Sequence, residues 1–321
     1  MNPVRWLFLF AGAIVVAGCG FLAVQTAPPK TASRDRSEAA RNADQLFWAT
    51  LHGGRYDDIT RALELLTAAY LANPADAVTA AHVGWLHIWR LSENARLDKV
   101  PATITDDAVL AHKYFAEASR LDPAEARYLG FLASSMLADG NVHKDEKLTR
   151  RGYYTMLDAI NAWPEFNLFT AGYVMSRQPP ESARFKQALE WQWQNLDVCV
   201  GENVDRRNFD YGRYMALATT NGAKRVCWNS WIAPHNFEGF FLNLGDMQVK
   251  AGDWQTAQKV YAAARLSDSY AQWKYRDVLE RRIADAQANV VVFNRSDGAA
   301  DKTFQRIMIA TPFACMACHQ D

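Results

Sequence analysis

Apolar residues return every three to four positions over most of this chain, from about residue 41 to 288. Short alternating runs of β-branched residues between turn residues, the mark of a strand, are nearly absent. The pattern predicts a mostly α protein. One spacing recurs within it. Ala62, Leu66, Ala69 and Pro74 return as Ala111, Phe115, Ala118 and Pro123; Met156, Ala159 and Pro164 repeat the last three positions, and Ala257, Tyr261 and Ala264 the first three. Alanines at helical spacing let two helices approach closely, and the larger residue one turn away fills the groove between them. The proline stops the helix, after a turn-forming Asn73 or Asp122. Three stretches lie outside the pattern. Residues 6–16 are a continuous apolar run. Residues 19–40 are small, polar and proline-containing, as in a flexible tether. Residues 289–321 form a tail that opens with Asn289-Val-Val-Val-Phe293, read as a short strand or a buried extended segment, and is too short for an independent domain.

The recurring positions resemble the second helix of tetratricopeptide repeats. Leu244-Gly245, Gly252, Ala257, Tyr261 and Ala264 match both helices of one repeat, and Gly84 holds the small-residue position after Pro74. The resemblance covers roughly 60–65% of the chain that would remain after signal cleavage. The marker prolines at 74, 123 and 164 stand 49 and 41 residues apart, against about 34 in an uninterrupted array. The resemblance therefore implies an irregular helical solenoid with insertions such as Leu91 to Asp107; an unrelated helical bundle is the alternative. Gln187 to Asn236 departs from the template. It holds Trp191, Trp193, Trp228, Trp231 and two cysteines, Cys199 and Cys227, and reads as a specialised insert whose aromatics serve as core packing or, less commonly, as a ligand surface.

The apolar run at Trp6–Val16 follows Arg5, is short for a membrane span and has the flanks of a cleaved export signal. Val16-Ala17-Gly18-Cys19 resembles the bacterial lipobox, which implies cleavage after residue 18 and a lipid on Cys19. An uncleaved membrane helix with an incidental cysteine is the other reading. Gly20 stands where an inner-membrane retention signal would place Asp, so the resemblance favours an outer-membrane anchor, facing the periplasm or the cell surface. Export changes how the other cysteines are read. Cys199 and Cys227, 28 residues apart, read as a disulfide in an oxidising compartment, which would stabilise the fold by about 3–4 kcal/mol. Two separately buried thiols are the alternative.

The remaining cysteines carry the chemistry. Cys315-Met-Ala-Cys318-His319 is a C-x-x-C-H run, expected by chance only roughly 0.002 times in a chain of this composition. Two thiols at this spacing reach one edge of a porphyrin, and the adjoining imidazole turns beneath the iron. The run resembles the attachment site of c-type cytochromes, which implies one covalent haem c on Cys315 and Cys318 with His319 as proximal iron ligand. A redox dithiol, a structural disulfide or a zinc or copper site are the competing readings. In the commonest single-haem cytochromes the motif lies near the N-terminus, whereas here it lies in the tail; cover for the haem must come from upstream residues or from a partner. His235 and Met308 are the candidate sixth ligands. His52, His82, His87, His112 and His143 read as surface or satisfied core residues.

Charge excludes one class of partner. The 35 basic and 35 acidic residues balance, and removing residues 1–18 takes away only Arg5, so nothing marks a nucleic-acid surface. The expected function is a membrane-anchored, mono-haem electron carrier whose repeats dock a redox partner or another envelope protein. A scaffold or assembly lipoprotein with an auxiliary, metal-binding or structural C-x-x-C-H is the alternative. An enzyme such as a peroxidase is the weakest expectation, because no organised set of catalytic residues, and no second haem motif, accompanies the first.

Overall fold

The computed structural model describes residues 22–228, 237–295 and 305–319. Contacts divide the chain into two units, Met1–Ala32 and Ser33–Asp321. In the first, the described residues hold one short helical turn, at 22–25, with Leu22 and Val24 exposed. Residues 1–18 and Cys19 lie outside the described residues, as do Trp231 and His235.

The second unit is mostly helical, and no strand occurs among the described residues. Its helices are α1 (Glu38–His52), α2 (Ile59–Ala72), α3 (Ala77–Ser92), α4 (Ile104–Leu121), α5 (Ala126–His143), α6 (Glu146–Ala162), α7 (Pro164–Met175) and α8 (Ala183–Val200). After an irregular stretch come α9 (Phe237–Lys250), α10 (Trp254–Ala263), α11 (Arg276–Ala284), α12 (Ala286–Phe293) and the single turn α13 (Met316–His319). Short connections lay most of these helices against the next one in sequence. Local sequence sets their starts. Ser37, Asp76, Asp145, Ser182 and Asp253 each cap a helix N-terminus with a side-chain oxygen. Pro164, expected only as a stop, also opens α7 at its first turn.

The recurring template residues form the core. Ala62, Leu66, Ala111, Phe115, Ala118, Met156, Ala159, Ala257, Tyr261 and Ala264 are all fully buried. Two glycines show why small and large residues alternate. A Cβ on Gly84 would lie 2.8 Å from the Phe115 ring, and one on Gly245 would lie 2.2 Å from the Tyr261 ring. In both places a ring occupies the space a side chain would need, so the helices meet at backbone distance.

Three segments differ from their sequence expectation. Asn289–Phe293 is neither strand nor extended; it lies within α12. The buried residues Ala286, Asn289 and Phe293 stand three and four positions apart, so a helical face decides the conformation over the β propensity of three valines. The body also takes in residues 33–37, assigned by composition to the tether. Arg36 bonds Asp76 Oδ2 through Nε at 2.8 Å and Thr79 Oγ1 through Nη2 at 3.0 Å, and it pairs with Asp44 as well. Finally, the aromatic stretch begins as a regular helix. Trp191 and Trp193 on α8 are buried core residues, and irregular structure starts only after Val200. There Cys199 and Cys227 form a disulfide, with Cα atoms 5.9 Å apart, tying the end of α8 to the 3-10 turn Ala223–Cys227. Among the described residues, no helix is long and apolar enough to cross a membrane.

Candidate functional site

The tail does not trail from the body. It runs back across the helices and is held by polar side chains along its length, several of them buried. Asp246 on α9, fully buried, accepts the Met308 backbone N–H at 2.7 Å and the Tyr261 hydroxyl at 2.6 Å, and pairs with Arg282 at 3.1 Å. Burial pushes the Asp246 carboxyl up, with the Arg282 charge opposing. Arg282 also donates to Gln305 Oε1 at 2.6 Å and to the Arg306 carbonyl. Farther along, Arg177 donates to the Ile309 carbonyl at 2.8 Å, and the Tyr173 hydroxyl donates to the Ala314 carbonyl at 2.7 Å.

The C-x-x-C-H turn is seated by two more residues. Glu93, just beyond α3 and fully buried, accepts the backbone N–H groups of both Cys315 and Met316 through Oε1, each at 2.9 Å. These are the free donors at the start of a helical turn, and a carboxylate is the partner they favour. Arg96 holds the other carboxylate oxygen at 2.5 Å. Burial nonetheless raises the Glu93 carboxyl above its ordinary value. From the opposite end of the turn, the Trp273 indole N–H donates to the Ala317 carbonyl at 3.1 Å.

So held, Cys315, Cys318 and His319 form part of the wall of a cavity of about 580 Å³. Most of the rest of the wall comes from α1, α3, α4, α5 and α7, and it is largely aromatic and aliphatic: Trp48, Trp85, Phe131, Phe169 and Tyr173 are representative. Arg127 and Arg177 bring guanidinium groups to the same wall. Arg127 pairs with Glu125 at 2.6 Å. The two tail thiols are not joined to each other. Burial pushes both up, so they stand as neutral S–H groups, while burial and the nearby His52 hold the His319 imidazole neutral by lowering its pKa to about 3. A neutral imidazole and two unlinked thiols on a largely apolar wall can ligate a metal and form covalent bonds to a bound ring. No group of three His, Cys, Asp or Glu side chains among the described residues could hold a metal ion by itself.

The residues expected for the sixth ligand divide. His235 lies outside the described residues. Met308 is fully buried where its backbone meets Asp246, and it is not one of the residues on the cavity wall. His52, read from sequence as surface or satisfied core, lies on that wall. The one sequence signal for it is its position four residues after Trp48, on the face of α1 that also carries Leu51. Glu93, Tyr173, Arg177 and Trp273 had no local signal, since each acts on a segment far along the chain. By contrast, His82, His87 and His112 bond Asp44, Asp107 and Asp139 through Nδ1 at 2.7, 2.7 and 2.8 Å, and His143 shares Asp139 at 2.8 Å. No family model matches this chain, and neither a curated protein nor a solved structure matches it.

Proposed function

We propose that this chain is an exported lipoprotein with a tetratricopeptide-like body that encloses one haem c, bonded to Cys315 and Cys318 and ligated by His319, and that it transfers electrons in the cell envelope. The observation that carries the reading is the position of the motif. A run spaced for thioether attachment forms part of the wall of a cavity of about 580 Å³, within the range of about 300–1,000 Å³ usual for cofactor-sized ligands. In this reading cover would come from this chain's own helices, a point the sequence left open between upstream residues and a partner.

The residues present fit such a group. Cys315 and Cys318 offer unlinked thiols three positions apart, and His319 presents a neutral imidazole beside them. The largely apolar wall would limit the access of water to a bound haem, which in such sites helps to set the potential. Arg177, which makes no ion pair among the described residues and lies on the cavity wall, would offer its guanidinium to a porphyrin carboxylate. Bound haem would supply one-electron exchange at its iron. Zinc is disfavoured, because it requires four converging ligands and no triplet of ligating side chains converges among the described residues. The repeats, as an extended surface, would dock the redox partner, and a lipid on Cys19 would hold the body at the membrane.

In the scaffold alternative the same fold organises an envelope complex, and the haem never cycles. Expression of the full chain with its export signal, in a host that attaches haem c, separates the readings. The expected result is a haem mass on the Cys315–His319 peptide, acylation at Cys19 and a reversible reduced-minus-oxidised spectrum. Colourless protein with unmodified tail thiols would refute the haem reading; attached haem that no envelope donor reduces would favour the scaffold.

A further inference from the structure

We infer that His52 is the second axial ligand of the iron, from the wall of the same cavity as His319; this rests on the haem reading above. His52 is the last residue of α1, and α1 packs directly against α13, which ends in His319. Both imidazoles lie on the wall of the same cavity. The His52 Nε2 is shut off from solvent, and its ring leans on Trp48 at 5.3 Å and 37° between planes, which fixes how the imidazole is presented.

Among the described residues, which do not include His235, the other donors are placed elsewhere. His82, His87, His112 and His143 are turned toward Asp44, Asp107 and Asp139 by their hydrogen bonds. No methionine belongs to the described wall; Met308 and Met316 are fully buried in the surrounding packing. An imidazole at each axial position leaves the iron six-coordinate and closed to small molecules, an arrangement suited to electron exchange and not to gas binding or peroxide chemistry.

The test uses the exported full chain, with haem attachment first verified by mass on the tail peptide. The wild-type ferric protein should give a low-spin electron paramagnetic resonance signal, and the ferrous protein should resist carbon monoxide. In His52→Gly the low-spin signal should be lost, carbon monoxide should bind, and added imidazole should restore the low-spin spectrum. His52→Met, which keeps a ligand of similar reach, should remain low-spin with a shifted absorption band, a change that a purely structural role for His52 would not produce. A high-spin wild type, or a His52→Gly protein that carries haem and stays low-spin without imidazole, overturns the assignment. Absence of haem from the tail peptide overturns the haem reading itself, and this inference with it.

Discussion

Glu93 seats the C-x-x-C-H turn, and removing it should release that turn. In Glu93→Ala, the Cys315 and Met316 N–H groups lose the acceptor they share at 2.9 Å each. A buried donor left unpaired costs about 1–3 kcal/mol, so the two together cost roughly 2–6 kcal/mol. Part of this is returned, because burial penalises the Glu93 charge and raises its pKa. A net loss of about 2–4 kcal/mol is expected. Glu93→Gln keeps an oxygen acceptor in the same place. It gives up charge assistance to the two N–H groups and to Arg96, whose half-buried side chain still reaches water, but it also escapes the desolvation cost. It should fall within about 1 kcal/mol of wild type. Thermal melting gives the global effect: at about 2–4 °C per kcal/mol for a domain of this order, Glu93→Ala should melt roughly 4–16 °C lower. Hydrogen exchange at the Cys315 and Met316 amides gives the local effect, accelerating in Glu93→Ala and little changed in Glu93→Gln. If the two variants share one melting temperature and one exchange pattern, the carboxylate does not hold the turn.

Three further outcomes follow from packing and charge. Replacing Cys199 and Cys227 by serine opens a 28-residue loop and should cost about 3–4 kcal/mol, read from urea unfolding against the oxidised wild type; an unchanged midpoint would show that the bridge contributes nothing. Gly84→Ala puts a methyl group 2.8 Å from the Phe115 ring and should cost about 1–3 kcal/mol. Pairing it with Phe115→Leu should cost less than the two single changes summed, and simple additivity would contradict the contact. Lys250 donates to the Ser176 and Gln178 carbonyls at 2.9 and 2.8 Å, and desolvation brings its pKa down from 10.5 to about 8. Between these values the unfolded chain holds a proton that the native chain has released, so stability rises with pH across that window, by about 2–3 kcal/mol after solvent screening is allowed for. Lys250→Met should remove that rise from chemical unfolding curves; an identical pH dependence in the variant would refute it.

Much of the body was legible because its determinants are local. Ala62, Leu66 and Ala69, or Ala111, Phe115 and Ala118, announce a buried helical stripe through spacing alone, and each lies in the core. The Cys199–Cys227 bridge followed from the cysteine count once export was read. The valines of 290–292 misled because β propensity is only a weak local preference, and the packing of Ala286, Asn289 and Phe293 overrode it. The cavity was not legible at all. The hydrogen bonds that place the motif span 222 residues from Glu93, 141 from Tyr173 and 44 from Trp273, and no periodicity encodes a partner at such separations.

The seating of the tail has a consequence for the order of events in the life of the protein. Cys318 is buried, and the turn that carries it is closed in between α9 and α1, helices from opposite ends of the chain. Contacts so remote in sequence form late, because the loop between them must close first. If haem is bonded to that thiol, as proposed above, the porphyrin would reach it most readily while the last fifteen or so residues still hang loose. Covalent loading would then precede final closure, and the finished body would be moulded around its cargo instead of admitting it afterwards.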